Sequence, residues 1–556
     1  MTVITINNQR IEIAPGKTVL EAAQEAGITI PTLCYHKDLS PYGGCRLCLV
    51  EIDGVRLPTT SCTYPVSDGM VVHTETPKII EARRTILKLL LSTYFDRGDN
   101  AADGHKNELI DWANFYNIDV SEFAAKEPRY EIDSDPNPFV YVDMNKCILC
   151  GRCVRACAEV QGRFVWGLSD RGFDSKVVAG LDQPMLDARC ESCGACVAYC
   201  PTGALDNKMS IGLGVPDKVV STTCTYCGVG CTVDLNVKDN KIIRVTSSIE
   251  GAVNGMRLCV KGRYGYDFVH HPDRLTKPLV RDYLLNGKPR AAGADRGNWV
   301  EVDWETALNI TAKKIAEISQ SSGSNSVGVL SSAKCTNEEN YLMQKFARQV
   351  VGSNNVDHCA RLCHSSTVAG LATSFGSGAM TNSMDDITAK AESIFVIGSN
   401  TTEQHPVFGT MIRQAVLKRD VKLIVADPRK IDLTEFATLH LWMKPGTDIA
   451  LVNGLMYIIL EKGWEDKEYI AQRTEGFEEF KATIEKYPPE VVSQITRVPV
   501  EKLYEAAEIL ATNHPMAVMW AMGITQHITG VRNVMDLANL QMLLGNMGIP
   551  GGGVNP

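Results

Sequence analysis

The residues with the clearest chemistry are eight cysteines in two matching runs between positions 147 and 200. Each run has the spacing C-x2-C-x2-C-x3-C, and the second is followed by Pro201. This spacing is typical of bacterial ferredoxins, in which each run gives three ligands to one 4Fe–4S cluster and its fourth cysteine to the other. The pattern therefore predicts two clusters, one held by Cys147, Cys150, Cys153 and Cys200, the other by Cys157, Cys190, Cys193 and Cys196.

Zinc or disulfides are the alternative use of these cysteines. Zinc sites seldom combine three cysteines at two-residue spacing with a fourth, so the spacing favours clusters. The first run has Ala158 where the motif expects proline. We expect this difference to change a turn and no ligand.

A second group of cysteines precedes these runs, at Cys34, Cys45, Cys48 and Cys62. Its spacing is a variant of the plant-type C-x4-C-x2-C pattern, because ten residues separate the first two cysteines. Gly43 and Gly44 would let backbone amides approach the cluster sulfurs. We interpret the group as a 2Fe–2S site, with zinc as the alternative.

A third group follows the runs, with three closely spaced cysteines and one distant one: Cys224, Cys227, Cys231 and Cys259. Three near thiolates and one far thiolate suit a further 4Fe–4S cluster held by a loop and a returning segment. Lys261 and Gly262 follow directly. A structural zinc site is again the alternative.

Composition limits the classes of protein to which this chain can belong. Its 556 residues exceed what one hydrophobic core supports, so several domains are expected. The net charge of -9 argues against a nucleic-acid partner. No run of about 18 apolar residues predicts a membrane span, and the first 20 residues do not resemble a signal peptide. We therefore expect a cytoplasmic location. The 19 cysteines fit that compartment only if most are metal ligands, and all but Cys335, Cys359 and Cys363 fall into four spaced groups.

The elements around the first cysteine group predict a β-grasp fold. Residues 2–6 and 9–13 alternate with period two, which predicts a hairpin. Thr18 and Glu21 form a capping box for a helix that Gly27 can end. Residues 80–91 predict an amphipathic helix. We divide the chain into a 2Fe–2S β-grasp domain, a helical linker, a double 4Fe–4S ferredoxin domain, a third 4Fe–4S domain and a large α/β domain, at residues 1–78, 79–135, 136–212, 213–275 and 276–556.

From about residue 300, short apolar runs alternate with helical patterns, which predicts a doubly wound α/β domain with a buried parallel sheet. The predicted strands are 326–330, 393–398, 421–427 and 516–523. In such sheets ligands lie beyond the carboxyl ends of the strands. Glycine, Asp, Asn and Arg recur at three of these ends, around Gly398, Asp427 and Met522. This recurrence indicates a cofactor that carries a nucleotide.

Four stretches closely resemble the molybdenum or tungsten formate dehydrogenases, which carry bis-molybdopterin guanine dinucleotide. They are the Cys224–Cys259 group with Lys261, and residues 357–364, 376–382 and 427–430. With the two N-terminal ferredoxin modules, the resemblance is to the α subunit of the cytoplasmic, NAD-linked type. It extends over essentially the whole chain.

The resemblance implies roles for individual residues. Cys363 matches the metal-ligating Cys or selenocysteine, and His364 the neighbouring histidine proposed to assist proton transfer. Lys261 matches the lysine between the cluster and one pterin. Positions that line the guanine dinucleotide are matched by Gly398, Asn400, Glu403, Asp427, Arg429, Gly446, Asp448, Met522, Gly523 and Gln526. The alternative for Cys363 and His364 is a buried cysteine beside an ordinary histidine.

The chain departs from the family pattern in two places. Related α subunits carry a histidine and three cysteines between the first two modules, whereas residues 79–135 contain His105 and no cysteine. We therefore expect that cluster to be missing. The sequence also stops at Pro556, before the family's formate-facing arginine and C-terminal domain. We expect a second chain or a further C-terminal segment to complete the pterin site.

The predicted function is oxidation of formate to CO2, or the reverse reaction. Electrons would leave the metal through three 4Fe–4S clusters and one 2Fe–2S cluster to a flavin- and NAD-binding iron–sulfur subunit. Two alternatives remain. One is an electron-transfer scaffold like the large iron–sulfur subunit of complex I, and the other is another molybdopterin oxidoreductase such as nitrate reductase.

Overall fold

The computed structural model describes residues 1–98, 107–248, 250–287 and 296–556. His105 lies outside these ranges. The chain forms two compact units. The first comprises Met1–Tyr266 and His405–Arg419, and the second Asp267–Gln404 and Asp420–Pro556. The segment His405–Arg419 thus groups with the N-terminal modules, whereas the sequence placed it within one continuous domain from residue 276.

The N-terminal module is a five-stranded sheet with one helix. Its elements are β1 (Thr2–Ile6), β2 (Gln9–Ile13), α1 (Val19–Glu25), β3 (Leu49–Ile52), β4 (Thr59–Thr60) and β5 (Val71–His73). The strand order is β2-β1-β5-β3-β4, with β1 and β5 parallel. Thr18 and Glu21 form the reciprocal capping box at the start of α1. The predicted hairpin and capped helix are confirmed.

Three helices follow the β-grasp module: α2 (Pro77–Leu91), α3 (Glu108–Phe115) and α4 (Val120–Phe123). Thr76 caps α2, and Pro77 occupies its first turn, where a missing N–H costs nothing. Leu87 and Leu91 of α2 are fully buried in a core that also contains Cys34, Cys45 and Cys150. The linker therefore packs against two of the cysteine groups.

The double-run module is built from two small hairpin-like sheets and short helices. Its elements are β6 (Val140–Val142), α5 (Arg152–Arg155), β7 (Trp166–Ser169), β8 (Lys176–Ala179), α6 (Ala195–Tyr199) and β9 (Leu205–Asn207). In the second run, helix α6 ends at Tyr199, directly before Cys200 and Pro201. In the first run, by contrast, α5 continues as a π-helical turn over Ala156–Val160. Because Ala158 retains an N–H where the motif expects proline, nothing stops the helix there.

The first unit is completed by a three-stranded antiparallel sheet, one short helix and one long helix. They are β10 (Lys218–Thr223), β11 (Thr232–Lys238), β12 (Lys241–Ser247), α7 (Val260–Tyr264) and the helix Pro406–Arg419. Arg413 of the long helix forms two hydrogen bonds, at 2.8 and 3.1 Å, to the carboxylate of Glu191. Gln414 donates to the Ala158 carbonyl at 3.1 Å. The π-helical turn thus provides part of the surface on which this helix packs.

The second unit contains nine strands and fourteen helices within its described residues, and Pro406–Arg419 is counted as α15 in chain order. The strands are β13 (Leu279–Arg281), β14 (Trp299–Glu301), β15 (Val329–Leu330), β16 (Val356–Asp357), β17 (Ser393–Ile397), β18 (Lys422–Ala426), β19 (Leu439–Leu441), β20 (Met516–Trp520) and β21 (Val554–Asn555). The helices are α8 (Asp282–Leu285), α9 (Trp304–Ser322), α10 (Asn337–Lys345), α11 (Ala360–Cys363), α12 (Ser365–Phe375), α13 (Met384–Lys390), α14 (Thr401–Gln404), α16 (Asp448–Lys462), α17 (Lys467–Arg473), α18 (Phe477–Ile484), α19 (Pro489–Thr496), α20 (Val500–Thr512), α21 (Met522–Thr525) and α22 (Gly530–Leu543).

The main sheet of this unit is fully parallel, with the order β19-β18-β17-β20-β21. From β17 the chain moves outward in one direction to β18 and β19, and later in the other direction to β20 and β21. The strand order therefore reverses between β17 and β20, as in doubly wound folds. Every residue of β17 and β20 is buried, which explains their continuous apolar sequence. The predicted α/β class is confirmed.

One predicted strand is wrong in part. Of residues 326–330 only Val329–Leu330 is extended, and it pairs with β16 in a separate two-stranded sheet. A 3₁₀ turn occupies Ser324–Ser326, and Leu330 is 82% exposed. The preceding Ser/Gly/Asn-rich stretch favours turns, so the extended segment begins only at Val329.

No helix in the described ranges is long and apolar enough to cross a bilayer.

Candidate functional site

The first cysteine group is buried in the β-grasp module, with three members in the loop between α1 and β3 and the fourth, Cys62, just after β4. The exposed fractions of Cys34, Cys45, Cys48 and Cys62 are all below one-tenth. The thiols lie within hydrogen-bonding reach of one another, since Cys45 and Cys62 both contact Cys34 and lower its pKa. A hydrogen bond from Cys62 lowers the pKa of Cys48 to about 7. The structure thus brings the four predicted 2Fe–2S ligands together.

Backbone amides approach this group as the glycines suggested. The N–H groups of Gly44 and Cys45 hydrogen-bond the Cys34 sulfur and contribute to lowering its pKa. Gly43 has φ +69° and Arg46 φ +60°, so the chain around Cys45 adopts left-handed turns that point N–H groups inward. Such donors stabilise thiolate and cluster charge.

The two runs repeat one local geometry. Leu149 and Ser192, each directly before the second cysteine of its run, have φ +54° and +51°. Their N–H groups donate to the sulfurs of Cys147 and Cys190, at 3.5 and 3.3 Å. Because these are non-glycine residues in the left-handed region, the loop conformation is imposed by its surroundings rather than by local preference.

The two cysteine sets of the runs form as the motif predicts. Burial raises the pKa of Cys147 and of Cys150 to about 12, and the nearby Cys200 thiolate adds to both shifts. A small cavity is lined by Cys147, Cys150, Cys153 and Cys200. In the other set, burial raises the pKa of Cys193 to about 12, with further contributions from Cys157 and Cys190. The last cysteine of each run therefore lies with the other run's group.

The third group lies between the three-stranded sheet and α7. Burial raises the pKa of Cys231 to about 12, with contributions from the other three thiolates of the group. Cys259 caps α7, and its sulfur accepts the Gly262 N–H at 3.4 Å. Lys261 lies in the first turn of α7, directly beside this ligand set.

The four cysteine groups share mutual proximity, full or partial burial and backbone N–H donors to sulfur, features that suit the ligands of iron–sulfur clusters.

The groups also follow one another in space through the first unit. Cys34 and Cys45 share a hydrophobic core with Cys150. Cys153 lies near enough to Cys196 for the two thiolates to interact electrostatically. Arg263, four residues beyond Cys259 on the α7 helix, donates to the Cys193 carbonyl at 2.9 Å. The four groups therefore lie in series through the first unit.

The second unit contains a cavity of about 320 Å³ at the carboxyl edge of the main sheet, where the strand order reverses. Eight of the ten predicted nucleotide-lining residues border it: Gly398, Asn400, Asp427, Arg429, Gly446, Asp448, Met522 and Gly523. Glu403 and Gln526 do not line it, although both lie on the adjoining segments. The volume and position suit part of a nucleotide-bearing ligand.

Two carboxylates give this cavity its polarity. Asp427 is 4% exposed and accepts the Arg429 N–H at 2.8 Å, while the Arg429 side chain itself is exposed. Asp448 begins α16, and burial raises the pKa of its carboxyl group. Carboxylates so placed can accept hydrogen bonds from a guanine edge or from hydroxyls, and Arg429 can bind a phosphate.

The two glycines at the switch point allow the strands to approach each other. Gly398 follows β17 with φ +60°, and a Cβ built there would lie 2.9 Å from the Gly523 carbonyl carbon. The Gly523 N–H donates to the Gly398 carbonyl at 3.1 Å. Backbone therefore touches backbone at the floor of the cavity, which no side chain would permit.

Sequence reasoning missed several residues that line the cavity. They are Gln404, Ala426, Pro428, Met443, Pro445, Ala521 and His527. His527 lies one turn beyond Gly523 and contacts its carbonyl at 2.8 Å. Extending the strand-end stretches by a few residues would have found Gln404 and His527. Met443 and Pro445 follow β19, which carried no recognised strand pattern.

Cys363 and His364 are held at this same edge of the sheet. Thr525 of α21 donates its hydroxyl to the Cys363 carbonyl, and Ser366 donates to the Thr525 carbonyl at 3.0 Å. His364 Nδ1 lies 3.0 Å from the Thr367 hydroxyl, which also accepts the indole N–H of Trp520 at 2.9 Å. Both residues are thus tied to the end of β20.

Burial shifts the titration of this pair in opposite directions. It raises the pKa of the Cys363 thiol, with a smaller contribution from Cys359, and lowers the pKa of His364. His364 is therefore a neutral imidazole at neutral pH. Cys359 and Cys335 are both exposed. Of the three cysteines outside the four groups, only Cys363 is partly buried and also hydrogen-bonded to α21, whose first two residues line the cavity.

The chain belongs to the molybdopterin oxidoreductase family, whose model matches residues 274–556. Three further models match the N-terminal part: a 2Fe–2S iron–sulfur cluster binding domain at residues 1–77, the ferredoxin-like domain of NADH-quinone oxidoreductase subunit 3 at 137–206, and a molybdopterin oxidoreductase Fe4S4 domain at 217–271. These domains indicate a 2Fe–2S cluster, 4Fe–4S clusters and molybdopterin.

Among curated relatives, "Probable oxidoreductase YjgC" of Bacillus subtilis is 33% identical over the whole chain. A Staphylococcus aureus protein named "Putative formate dehydrogenase" is 31% identical over the whole chain. The chain spans 59% of the length of each. Among solved structures, acetylene hydratase from Pelobacter acetylenicus aligns at a TM-score of 0.53 and 26% identity, covering 59% of this chain and 44% of that one.

Proposed function

We propose that the chain is the N-terminal part of a formate dehydrogenase or CO2 reductase of the cytoplasm. Its domains would be those divided above, ending in an incomplete pterin domain at residues 276–556. A second chain or a further C-terminal segment would complete the pterin site, in keeping with the greater length of the relatives. The observation that carries the proposal is the placement of Cys363 and His364, which Thr525 and Thr367 hold near the end of β20.

The residues present suit a bis-molybdopterin guanine dinucleotide with molybdenum or tungsten. Asp427, Arg429 and Asp448 offer donors and acceptors for a nucleotide, and the contact between Gly398 and Gly523 keeps the cavity floor free of side chains. The Cys363 thiolate is a soft ligand of the type such a metal takes. When bound, this cofactor supplies the two-electron chemistry of formate oxidation.

The protein's own groups would position and exchange a proton. With Nδ1–H of His364 donating to the Thr367 hydroxyl, Nε2 would be the nitrogen that accepts a proton during formate oxidation. Because burial lowers the pKa of His364, the ring is neutral and able to accept this proton at neutral pH. Thr525 anchors the backbone at Cys363.

Electrons would leave through the four cysteine groups in their order along the first unit, ending at the β-grasp cluster. A flavin- and NAD-binding iron–sulfur subunit is the partner we propose there. The match to the ferredoxin-like domain of NADH-quinone oxidoreductase subunit 3 supports a complex of this type. The same match supports the second candidate, an electron-transfer scaffold without molybdenum or tungsten.

Metal analysis of the assembled complex separates the two candidates, because the scaffold contains neither metal. Cys363→Ser should then lose most formate-dependent dye reduction while its iron content and cluster EPR signals persist, since no cluster uses this residue. Cys359→Ser and Cys335→Ser are matched controls and should keep most activity. An active Cys363→Ser variant, or an inactive Cys359→Ser variant, would overturn the assignment of Cys363.

A further inference from the structure

Five arginines are buried among the described residues of this chain, and they differ in how their charge is balanced. Three of them pair with carboxylates: Arg83 with Glu75 at 3.0 Å, Arg152 with Glu108 at 2.8 Å and Arg413 with Glu191 at 2.8 Å. Arg155 and Arg263 form no ion pair with a described carboxylate. A buried cation is costly unless an opposite charge lies close by.

Arg155 lies between the β-grasp cysteines and the first cysteine set of the runs. Its Nη2 donates to the carbonyl of Cys34 at 2.5 Å and to that of Cys150 at 3.3 Å. The remaining nitrogens donate to the carbonyls of Ser40, at 2.5 Å, and Gly151, at 3.2 Å. One guanidinium thus touches the backbone of a ligand from each of two clusters.

Arg263 occupies the corresponding place at the other end of the path. It lies four residues after Cys259 on the α7 helix and is 2% exposed. Its Nε donates to the Cys193 carbonyl at 2.9 Å, and its Nη2 to the Ser247 hydroxyl at 3.0 Å. Gly194 makes room for it, because a Cβ there would lie 2.3 Å from Arg263 Cδ.

We propose that Arg155 and Arg263 are positioning residues for electron transfer, each raising the reduction potentials of the two clusters that it joins. Four thiolates give a cluster negative charge, and reduction adds one more. A buried guanidinium beside it stabilises the reduced form, and the low dielectric of the interior strengthens that effect. The clusters are in turn the counter-charge that these two arginines otherwise lack.

The proposal rests on the clusters of the proposed electron path and not on formate as the substrate. Its readout is the potential of each cluster, measured with a chemical reductant. A protein that proves inactive with formate still reports these potentials, so the two proposals fail separately.

The test is a redox titration of the anaerobically purified complex, followed by EPR, for Arg155→Gln and Arg263→Gln. In Arg155→Gln the equilibrium constant for one-electron reduction should fall about tenfold for the 2Fe–2S cluster and for the Cys147 cluster, a drop of about 59 mV each. The other two clusters should be unchanged. Arg263→Gln should show the complementary pattern, affecting the Cys193 and Cys259 clusters. Arg155→Lys keeps the positive charge, so both reduction potentials should stay close to those of the unsubstituted protein.

The matched control is the double variant Arg152→Gln with Glu108→Gln, which removes an ion pair of no net charge whose arginine lies on the same helix as Arg155. The reduction potentials of this control should change by only a small part of the shift seen in Arg155→Gln. Equal shifts in all four clusters, or unchanged potentials in both arginine variants, would overturn the proposal. Loss of iron from both variants would also overturn it, because the arginines would then serve cluster assembly. If only one of the two variants retains its iron, that variant alone tests the proposal. A shift confined to its two clusters supports the proposal, and unchanged potentials overturn it.

Discussion

Replacing Gly398 by alanine should destabilise the main sheet at its switch point. Gly398 has φ +60°, and its backbone lies against Gly523. Gly446 lines the same cavity with φ +77°, but a Cβ there would meet no atom within 4 Å. The two glycines therefore share the backbone requirement and differ only in the space available.

Two contributions to the loss of stability can be estimated separately, backbone strain and overpacking. A non-glycine residue in the left-handed region costs about 1–2 kcal/mol, which both variants incur. At Gly398 the new Cβ would lie 2.9 Å from the Gly523 carbonyl carbon and 3.0 Å from the Ile524 nitrogen. Overpacking of this kind costs about 1–3 kcal/mol more, and here the opposing atoms are backbone and cannot rotate away. We expect about 2–5 kcal/mol for Gly398→Ala and about 1–2 kcal/mol for Gly446→Ala.

Hydrogen exchange measured by mass spectrometry suits a chain of several domains, because it reports the opening free energy of individual segments. Peptides that cover β17 and β20 should exchange faster in Gly398→Ala than in Gly446→Ala, while peptides of the β-grasp module should be unaffected. Equal effects of the two substitutions on β17 and β20 would refute the argument that backbone contact at the switch point requires glycine.

Three further outcomes are expected. Anaerobically purified protein should contain three 4Fe–4S clusters and one 2Fe–2S cluster, about 14 iron atoms per chain; about 18 iron atoms with a fifth EPR signal would contradict the missing cluster in residues 79–135. Deleting residues 1–78 should abolish NAD reduction and spare formate-dependent dye reduction, and equal loss of both would exclude the β-grasp cluster as the exit. Asp536 of α22 is half-buried, its Oδ2 has no hydrogen-bond partner among the described residues, and desolvation raises the pKa of its carboxyl group from 3.8 to about 7. Because the folded state holds this proton more tightly than the unfolded state, stability should fall as pH rises from about 4 to about 7, and Asp536→Asn should remove that loss in denaturation at pH 8.

Local sequence patterns predicted most of the cluster sites. The spacing of the two runs predicted which cysteines meet, including the exchange of Cys157 and Cys200, and the structure groups them in that way. Spacing succeeds here because each run is a short loop whose geometry depends on adjacent residues. The capping box at Thr18 and the buried strands β17 and β20 were predictable for the same reason, since periodicity and caps act over a few residues.

The pterin-side residues were predictable in part. Strand ends pointed to Gly398, Asp427 and Met522, because the carboxyl edge of a parallel sheet collects such residues from every strand. Met443, which also lines the cavity, follows a strand that pairs only at the sheet edge and has a weak pattern of its own.

What the sequence by itself determined is the set of ligand groups, the α/β class and the edge of the sheet at which a cofactor would bind. Tertiary structure alone decided the strand order with its switch point, the packing of Pro406–Arg419 on the first unit, and the contact of Cys363 with Thr525, 162 residues away. It also decided that Arg155 and Arg263 lie between cysteine groups. These features depend on contacts between residues far apart in the chain, which local spacing and periodicity do not encode.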